Sequence, residues 1–293
     1  MVHWEKIAIF VIDSKKSDSM KQIHLLLAAL VLILASCKTE YAVRGPQGGI
    51  ATTLRVPKGK VLGRDSLEVV VLMHGIFSSK SYPPIPRLAR SLAKQGIATL
   101  TMDFGGHGRS QGRKVNMTIE KEIAEGRAVY DYACALPMVK DVSLLGHSQG
   151  GVVASMLAGR LAQEGRAPQR LMLLAPGAVI KEACQGGHFF GQRFDPRRPP
   201  EYIKCFGIYK LGHDYLASTQ KLDIYGTSAH YQGPVCILHG TRDRIVPLWC
   251  SRKYDSIYRR STLHLIEGET HTMHKKLKQT TRILGEFLRK GRL

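Results

Sequence analysis

Residues 141–165 read DVSLL-GHSQG-GVVASMLAGRLAQEG, and the pentapeptide Gly146-His147-Ser148-Gln149-Gly150 at their centre decides the fold. The β-rich run 141–145 follows a charged turn, and 151–165 carries small and apolar residues at helical spacing. A strand, a G-x-S-x-G turn and a helix, in that order, set a serine on a bend too sharp for ordinary backbone. Glycine at 146 and 150 leaves room for the neighbouring chain. The Ser148 hydroxyl then projects from the top of a sheet as a candidate nucleophile. The next amide, that of Gln149, lies at a helix N-terminus, where it can stabilise an oxyanion.

Upstream, ATTLRVP (51–57), a turn at Pro57-Lys58-Gly59 and SLEVVVLM (66–73) predict a hairpin or meander. The last run leads into His74-Gly75-Ile76, where Gly75 permits close approach and the Ile76 amide is a candidate second oxyanion donor. His74 is expected to be a structural hydrogen-bonder. Residues 84–95 predict a helix with Pro near its start and Gly96 past its end. A strand is expected over 97–103, followed by the glycine-rich loop FGGHGRSQG (104–112). No Gly-Lys-Ser/Thr follows that loop, so it is not a nucleotide site, and His107 reads as a loop organiser. A helix over 118–135 starts at Thr118, with Glu120 and Glu122 in its first turn. The alternation from 67 to 175 implies an α/β domain with a mostly parallel sheet covered by helices on both faces.

Downstream, RLMLLAP (170–176) and VCILHG (235–240) are further core strands. Between them, about 177–232 is rich in Gly, Pro, Arg and aromatics and reads as an inserted cap over the strand ends. Asp243 follows the second strand directly. A helix over 248–259, a strand over 262–268 and His271 come next, giving the order Ser148…Asp243…His271. His274, on the expected first turn of a final helix over 272–290, is the less well placed base. Nothing in this chemistry calls for a metal or an organic cofactor.

The N-terminus carries a different message. From Met20 the chain reads MKQIHLLLAALVLILASC, a basic start, an apolar run and small residues before Cys37. The run is short for a membrane span and fits a secretory signal. Leu34-Ala35-Ser36-Cys37 resembles a bacterial lipobox, which implies lipidation of Cys37, export and membrane anchoring. Met1–Ser19 then reads as a misassigned upstream extension, 20–36 as the signal, 37–50 as a linker and 51–293 as the catalytic domain. Five cysteines remain; Cys134 and Cys236 read as buried, and Cys184 with Cys205 can form a disulfide. The net charge of +20 comes from scattered residues and no nucleic-acid motif accompanies it, which points to a solvated basic surface.

With these residues in view, the chain resembles the α/β-hydrolases and, within them, the bacterial cinnamoyl/feruloyl esterases. The likeness rests on GHSQGGVVASMLAG (146–159), LLAPGAVIKE (173–182), GPVCILHGTRDRIVP (233–247) and STLHLIEGETHTM (261–273), and runs from about 51 to 289. It implies a serine esterase cleaving hydroxycinnamoyl esters of small molecules or polysaccharides, with the cap holding the phenolic end. Glu182 and Tyr215 are the nearest matches to the family's acidic residue and tyrosine there, although alignment from Pro176 sets Ala183 at the acidic position. A monoacylglycerol-lipase-like enzyme or general carboxylesterase is the runner-up. A serine peptidase and a silent glycan-binding lipoprotein rank below it.

Overall fold

The computed structural model describes residues 38–290. The first two strands, β1 (Lys38–Gly45) and β2 (Gly48–Arg55), are followed by β3 (Leu67–Met73), helix α1 (Ile85–Lys94) and β4 (Ala98–Met102). Next come α2 (Ile119–Ala135), β5 (Val139–His147), α3 (Gln149–Gln163) and β6 (Leu171–Leu174). The insertion holds α4 (Ile180–Gln185), two short strand pairs, β7 (His188–Phe189) with β8 (Gln192–Arg193) and β9 (Tyr202–Cys205) with β10 (Tyr209–Gly212), then α5 (His213–Thr219) and α6 (Ile224–Ala229). The chain closes with β11 (Val235–Gly240), α7 (Leu248–Ile257), β12 (Ser261–Ile266) and α8 (Leu277–Arg289).

One eight-stranded sheet runs in the order β1-β2-β4-β3-β5-β6-β11-β12. Its members from β4 to β12 are parallel, while β1 and β2 add an antiparallel edge. Alternation along β3 sends Val69, Val71 and Met73 to one core and Val70 and Leu72 to the other. The first core lies under α2, α3, α7 and the cap; the second lies under α1 and α8. Helix α1 shows the expected single buried stripe of Ile85, Leu88, Ala89 and Leu92. Helix α3 is buried almost all round, which its Gly-Gly-Val-Val-Ala-Ser run permits.

The topology fixes where a site can form. From β3 the chain steps to β4 on one side and then crosses to β5 on the other, so the strand order switches at β3/β5. Such a switch opens a crevice at the carboxyl ends of the strands. The loop after β3 carries Ile76 and the turn after β5 carries Ser148, so both candidates meet at that crevice.

Several expectations need correction. Residues 38–50, read as a linker, form β1 and the start of β2, because Tyr41, Val43 and Ile50 have a core to pack on. Strands β2 and β3 do not pair with each other; β4 lies between them and bonds to both. The last helix starts at Leu277 rather than 272, since Met273 takes a positive φ of 50° that ends any regular turn. Cys134 is exposed, not buried, and Cys184 and Cys205 are free buried thiols. The Cys37 reading lies outside the described residues. No helix among the described residues is long and apolar enough to cross a membrane.

Candidate active site

Ser148 sits between the end of β5 and the start of α3 with φ 56° and ψ −123°. That backbone is strained for a non-glycine residue, and its surroundings hold it there. Its N–H donates to Leu174 O at 2.9 Å, and its carbonyl accepts from Gly151 and Gly177 at 2.9 and 3.0 Å. A methyl group on Gly146 would stand 2.1 Å from Gly150 O, and one on Gly150 would stand 2.4 Å from His74 O. Only glycine fits at either place.

From Ser148 a continuous chain of hydrogen bonds runs inward. The Oγ lies 2.9 Å from His271 Nε2, and His271 Nδ1 lies 2.8 Å from Asp243 Oδ2. The other carboxylate oxygen of Asp243 accepts from the Ile245 and Val246 amides at 2.8 and 2.9 Å. Burial pushes the Asp243 carboxyl up, but the His271 partner and the two amides outweigh it and hold it below the usual range. His271 lies on the loop after β12. Glu269 braces that loop, its Oε1 accepting from the Thr270 amide at 2.8 Å and its Oε2 from the Lys276 amide at 2.5 Å. His147 Nε2 donates to the His271 carbonyl at 2.7 Å, fixing it from the pentapeptide side. His239 lies 3.5 Å from Asp243, yet it bonds to Val246 O and Ser251 Oγ and stays neutral through burial.

The loop after β3 closes over the serine. A methyl group on Gly75 would touch Ser148 Cβ at 3.0 Å and Oγ at 3.4 Å. His74 takes the structural role expected of it: Nε2 accepts from the Phe104 amide at 3.0 Å, and Nδ1 bonds Gly75 O at 2.8 Å. A buried ion pair anchors the far end of the loop, with Lys80 Nζ 2.7 Å from Asp103 Oδ2 and the Lys80 amide 2.6 Å from Oδ1. Among the described residues the Ile76 amide has no acceptor. The Gln149 amide is the first of α3 and therefore has no intrahelical one. The Gln149 side chain is locked on both flanks: it accepts from Tyr215 Oη at 2.6 Å and donates to Glu122 Oε2 at 2.8 Å. Burial holds the Glu122 carboxyl well above its ordinary range, and its second oxygen is buried without a partner among the described residues.

Three further histidines around this site are neutral for the same reason as His239. Burial pushes His74 down to about 4 and His107 and His147 down to about 3. A lowered base pKa has a definite sign. Above the unfolded value near 6.5 both states are neutral, and nothing is gained or lost. Below it the unfolded chain takes protons that the folded chain refuses, so stability falls by about 1.4 kcal/mol per pH unit for each histidine until the folded value is reached. Glu122 and Glu125, raised by burial, act with the opposite sign over the upper part of that range. The histidines outnumber them, so the melting temperature should drop between pH 6.5 and pH 4. Differential scanning fluorimetry checks this; a flat or rising melting temperature contradicts the assignment.

The structure thus brings Ser148, Asp243, His271, Ile76 and Gln149 to one point. It separates the two cap candidates. Tyr215 is fully buried and spends its hydroxyl on Gln149, while Glu182 is exposed on α4, on the side of Tyr225, Cys250 and Tyr254. His107 bonds Gly105 O, as a loop organiser does. His274 is exposed and bonds Thr272 away from Ser148. Sequence reasoning missed His147, Glu122, Glu269 and the Lys80–Asp103 pair. Only His147 carried a local signal, as the variable residue just before the serine.

A parallel sheet with a serine on a strained strand-to-helix turn, a carboxylate after a later strand and a histidine after the last is a recognisable whole. The chain has the α/β-hydrolase fold. Its relatives are serine hydrolases of the esterase and lipase kind. The family described as "Serine aminopeptidase, S33" matches residues 64–196. The ferulic-acid-bound structure of Est1E from Butyrivibrio proteoclasticus superposes with a TM-score of 0.79 at 29% identity, covering 85% of this chain and 97% of that one. Lysophosphatidylserine lipase ABHD12 of Danio rerio is 26% identical over 241 residues, 77% of this chain and 59% of its own length. A monoacylglycerol lipase of Mycolicibacterium smegmatis is 26% identical over 218 residues, 64% of this chain and 74% of its own. The α/β-hydrolase core here spans between 51% and 59% of the length of the ABHD12-type proteins it matches first.

Proposed function

We propose that this α/β-hydrolase is a serine carboxylic-ester hydrolase with Ser148 as nucleophile, His271 as base and Asp243 as the residue that orients it. The observation that carries the reading is the unbroken hydrogen-bond chain Ser148–His271–Asp243, with contacts of 2.9 and 2.8 Å. His271 takes the Ser148 proton as the hydroxyl oxygen attacks the ester carbonyl carbon. The amides of Ile76 and Gln149 receive the oxyanion, each such donor contributing about 3 kcal/mol. His271 then protonates the departing alcohol; water, giving its proton to the same base, attacks the acyl carbon, and as the Ser148 Oγ–acyl bond breaks His271 returns that proton to Ser148 and the acid leaves. Asp243 holds Nδ1 protonated and stabilises the imidazolium formed at each step.

The substrate we assign is a hydroxycinnamoyl ester. The likeness to ferulic-acid-bound Est1E over most of both chains supports it. The second reading is a glycerol or lysophospholipid ester, favoured by the names of the curated relatives. Initial rates on methyl ferulate, methyl caffeate, p-nitrophenyl butyrate and a monoacylglycerol, measured side by side, separate the two. We expect kcat/KM on the hydroxycinnamates to exceed that on the monoacylglycerol by at least about tenfold, roughly 1.4 kcal/mol of transition-state preference. The reverse order transfers the assignment to the lipid ester. The signal and Cys37 further support placing the enzyme on the outer side of a membrane as a lipid-anchored protein.

A further inference from the structure

We propose that the tip of the β9–β10 hairpin, Phe206-Gly207-Ile208, docks on an anionic lipid bilayer, as a membrane contact separate from the N-terminal segment. Cys205 pairs with Tyr209, so these three residues form the whole turn. Phe206 is 63% exposed and Ile208 74% exposed, more than any other large apolar pair so close in sequence among the described residues. Open space surrounds the point between them, since a Cβ on Gly207 would meet nothing within 4 Å.

The backbone says that this phenylalanine is held outward at a cost. Phe206 has φ 51°, in the left-handed region where bulky residues are rare. The same is true of Phe190, φ 45°, at the neighbouring β7–β8 turn, and of Phe77, φ 54°, beside Ile76. A two-residue turn such as Phe190-Gly191 ordinarily favours Asn-Gly. These three rings stand in a row, 6.4 Å from Phe77 to Phe190 and 4.9 Å from Phe190 to Phe206. Strain repeated at three touching positions is a reason to look for a role in the side chains themselves.

The surroundings specify the partner. Exposed Lys204 and Lys210 flank the tip on the two strands, and Lys210 Nζ lies 4.0 Å from the centre of the Tyr202 ring behind it. Apolar tip, cationic collar and amphipathic tyrosine follow one another as acyl chain, phosphate and interface do in a membrane. A protein partner would call for a shaped surface, whereas two side chains on an open turn need only a fluid apolar phase. The net charge of +20 favours an anionic leaflet over a neutral one. Tyr209 stacks on Phe77 at 4.6 Å, so a docked tip brings the loop bearing the Ile76 amide to the lipid surface.

The test uses the full chain and reads the tip itself, so anchoring at the N-terminus does not confuse it. Phe206→Trp is mixed with vesicles of brominated phosphatidylcholine, alone or equimolar with phosphatidylglycerol, and tryptophan quenching is compared with the wild-type background. We expect quenching beyond background on the phosphatidylglycerol vesicles, and its loss when Lys204→Gln and Lys210→Gln are added. Quenching no greater than wild type overturns the proposal, and equal quenching on both vesicles overturns the anionic assignment. Phe206→Ser with Ile208→Ser should leave hydrolysis of a water-soluble ester unchanged; a loss there would make the tip part of the substrate pocket and overturn docking. The quenching arm can be read in Ser148→Ala as well, so it stands apart from the esterase reading.

Discussion

Ser148→Ala is expected to lower kcat on a p-nitrophenyl ester by about 10⁶-fold, the size of loss that follows when the nucleophile of such a triad is removed. The variant should keep its melting temperature within a few degrees. Among the described residues the hydroxyl makes a single side-chain bond, to His271, and alanine occupies no more space than serine. The backbone bonds to Leu174, Gly151 and Gly177 that hold the turn do not involve the side chain at all. A folded variant with wild-type turnover would remove Ser148 from the chemistry and the ester-hydrolase reading with it.

Asp243→Asn is expected to cost about 10⁴-fold in kcat while leaving KM nearly unchanged. An amide nitrogen facing His271 would present a donor where an acceptor is needed, so the imidazole would hold its proton on the nitrogen that must receive one from Ser148. Asparagine can still accept from the Ile245 and Val246 amides, so the loop should stay in place. The loss would then report the tautomer of His271 rather than a collapsed turn. His239 lies 3.5 Å from the same carboxylate and provides a control. Its ring is already committed to Val246 and Ser251, so it should not substitute for His271. An unchanged kcat in Asp243→Asn would mean that another group orients the base.

The parts of this arrangement that were legible in the sequence are the ones governed by local backbone rules. The glycines of 146–150 announce a turn that only glycine fits, and apolar runs ending in Gly75, Asp243 and His271 announce strands whose loops reach a common edge. Helix α2 is legible from Thr118 with Glu120 and Glu122 in its first turn, and the structure adds a purely local cap, the Thr118 hydroxyl accepting from the Lys121 amide at 3.2 Å. What escaped is non-local. Strands β2 and β3 are close in sequence and alternate plausibly, yet β4 comes between them, and nothing within either strand records that. Glu122 reads from the sequence only as a helix-start acid, and its buried partner is Gln149, twenty-seven residues away. Glu182 and Tyr215 were paired by resemblance, but the cap sends one to the surface and the other to the interior.

The Tyr215–Gln149–Glu122 relay has a mechanical meaning for the insertion. Tyr215 belongs to the cap, and Gln149 and Glu122 belong to the main domain. Swinging the insertion away would break the Tyr215–Gln149 bond and leave the Gln149–Glu122 bond intact, a net loss of about 0.5–1.5 kcal/mol for one hydrogen bond. The Tyr215 bond ties the insertion to the first residue of α3, so any displacement of the insertion is felt at Gln149, beside the Ser148 turn.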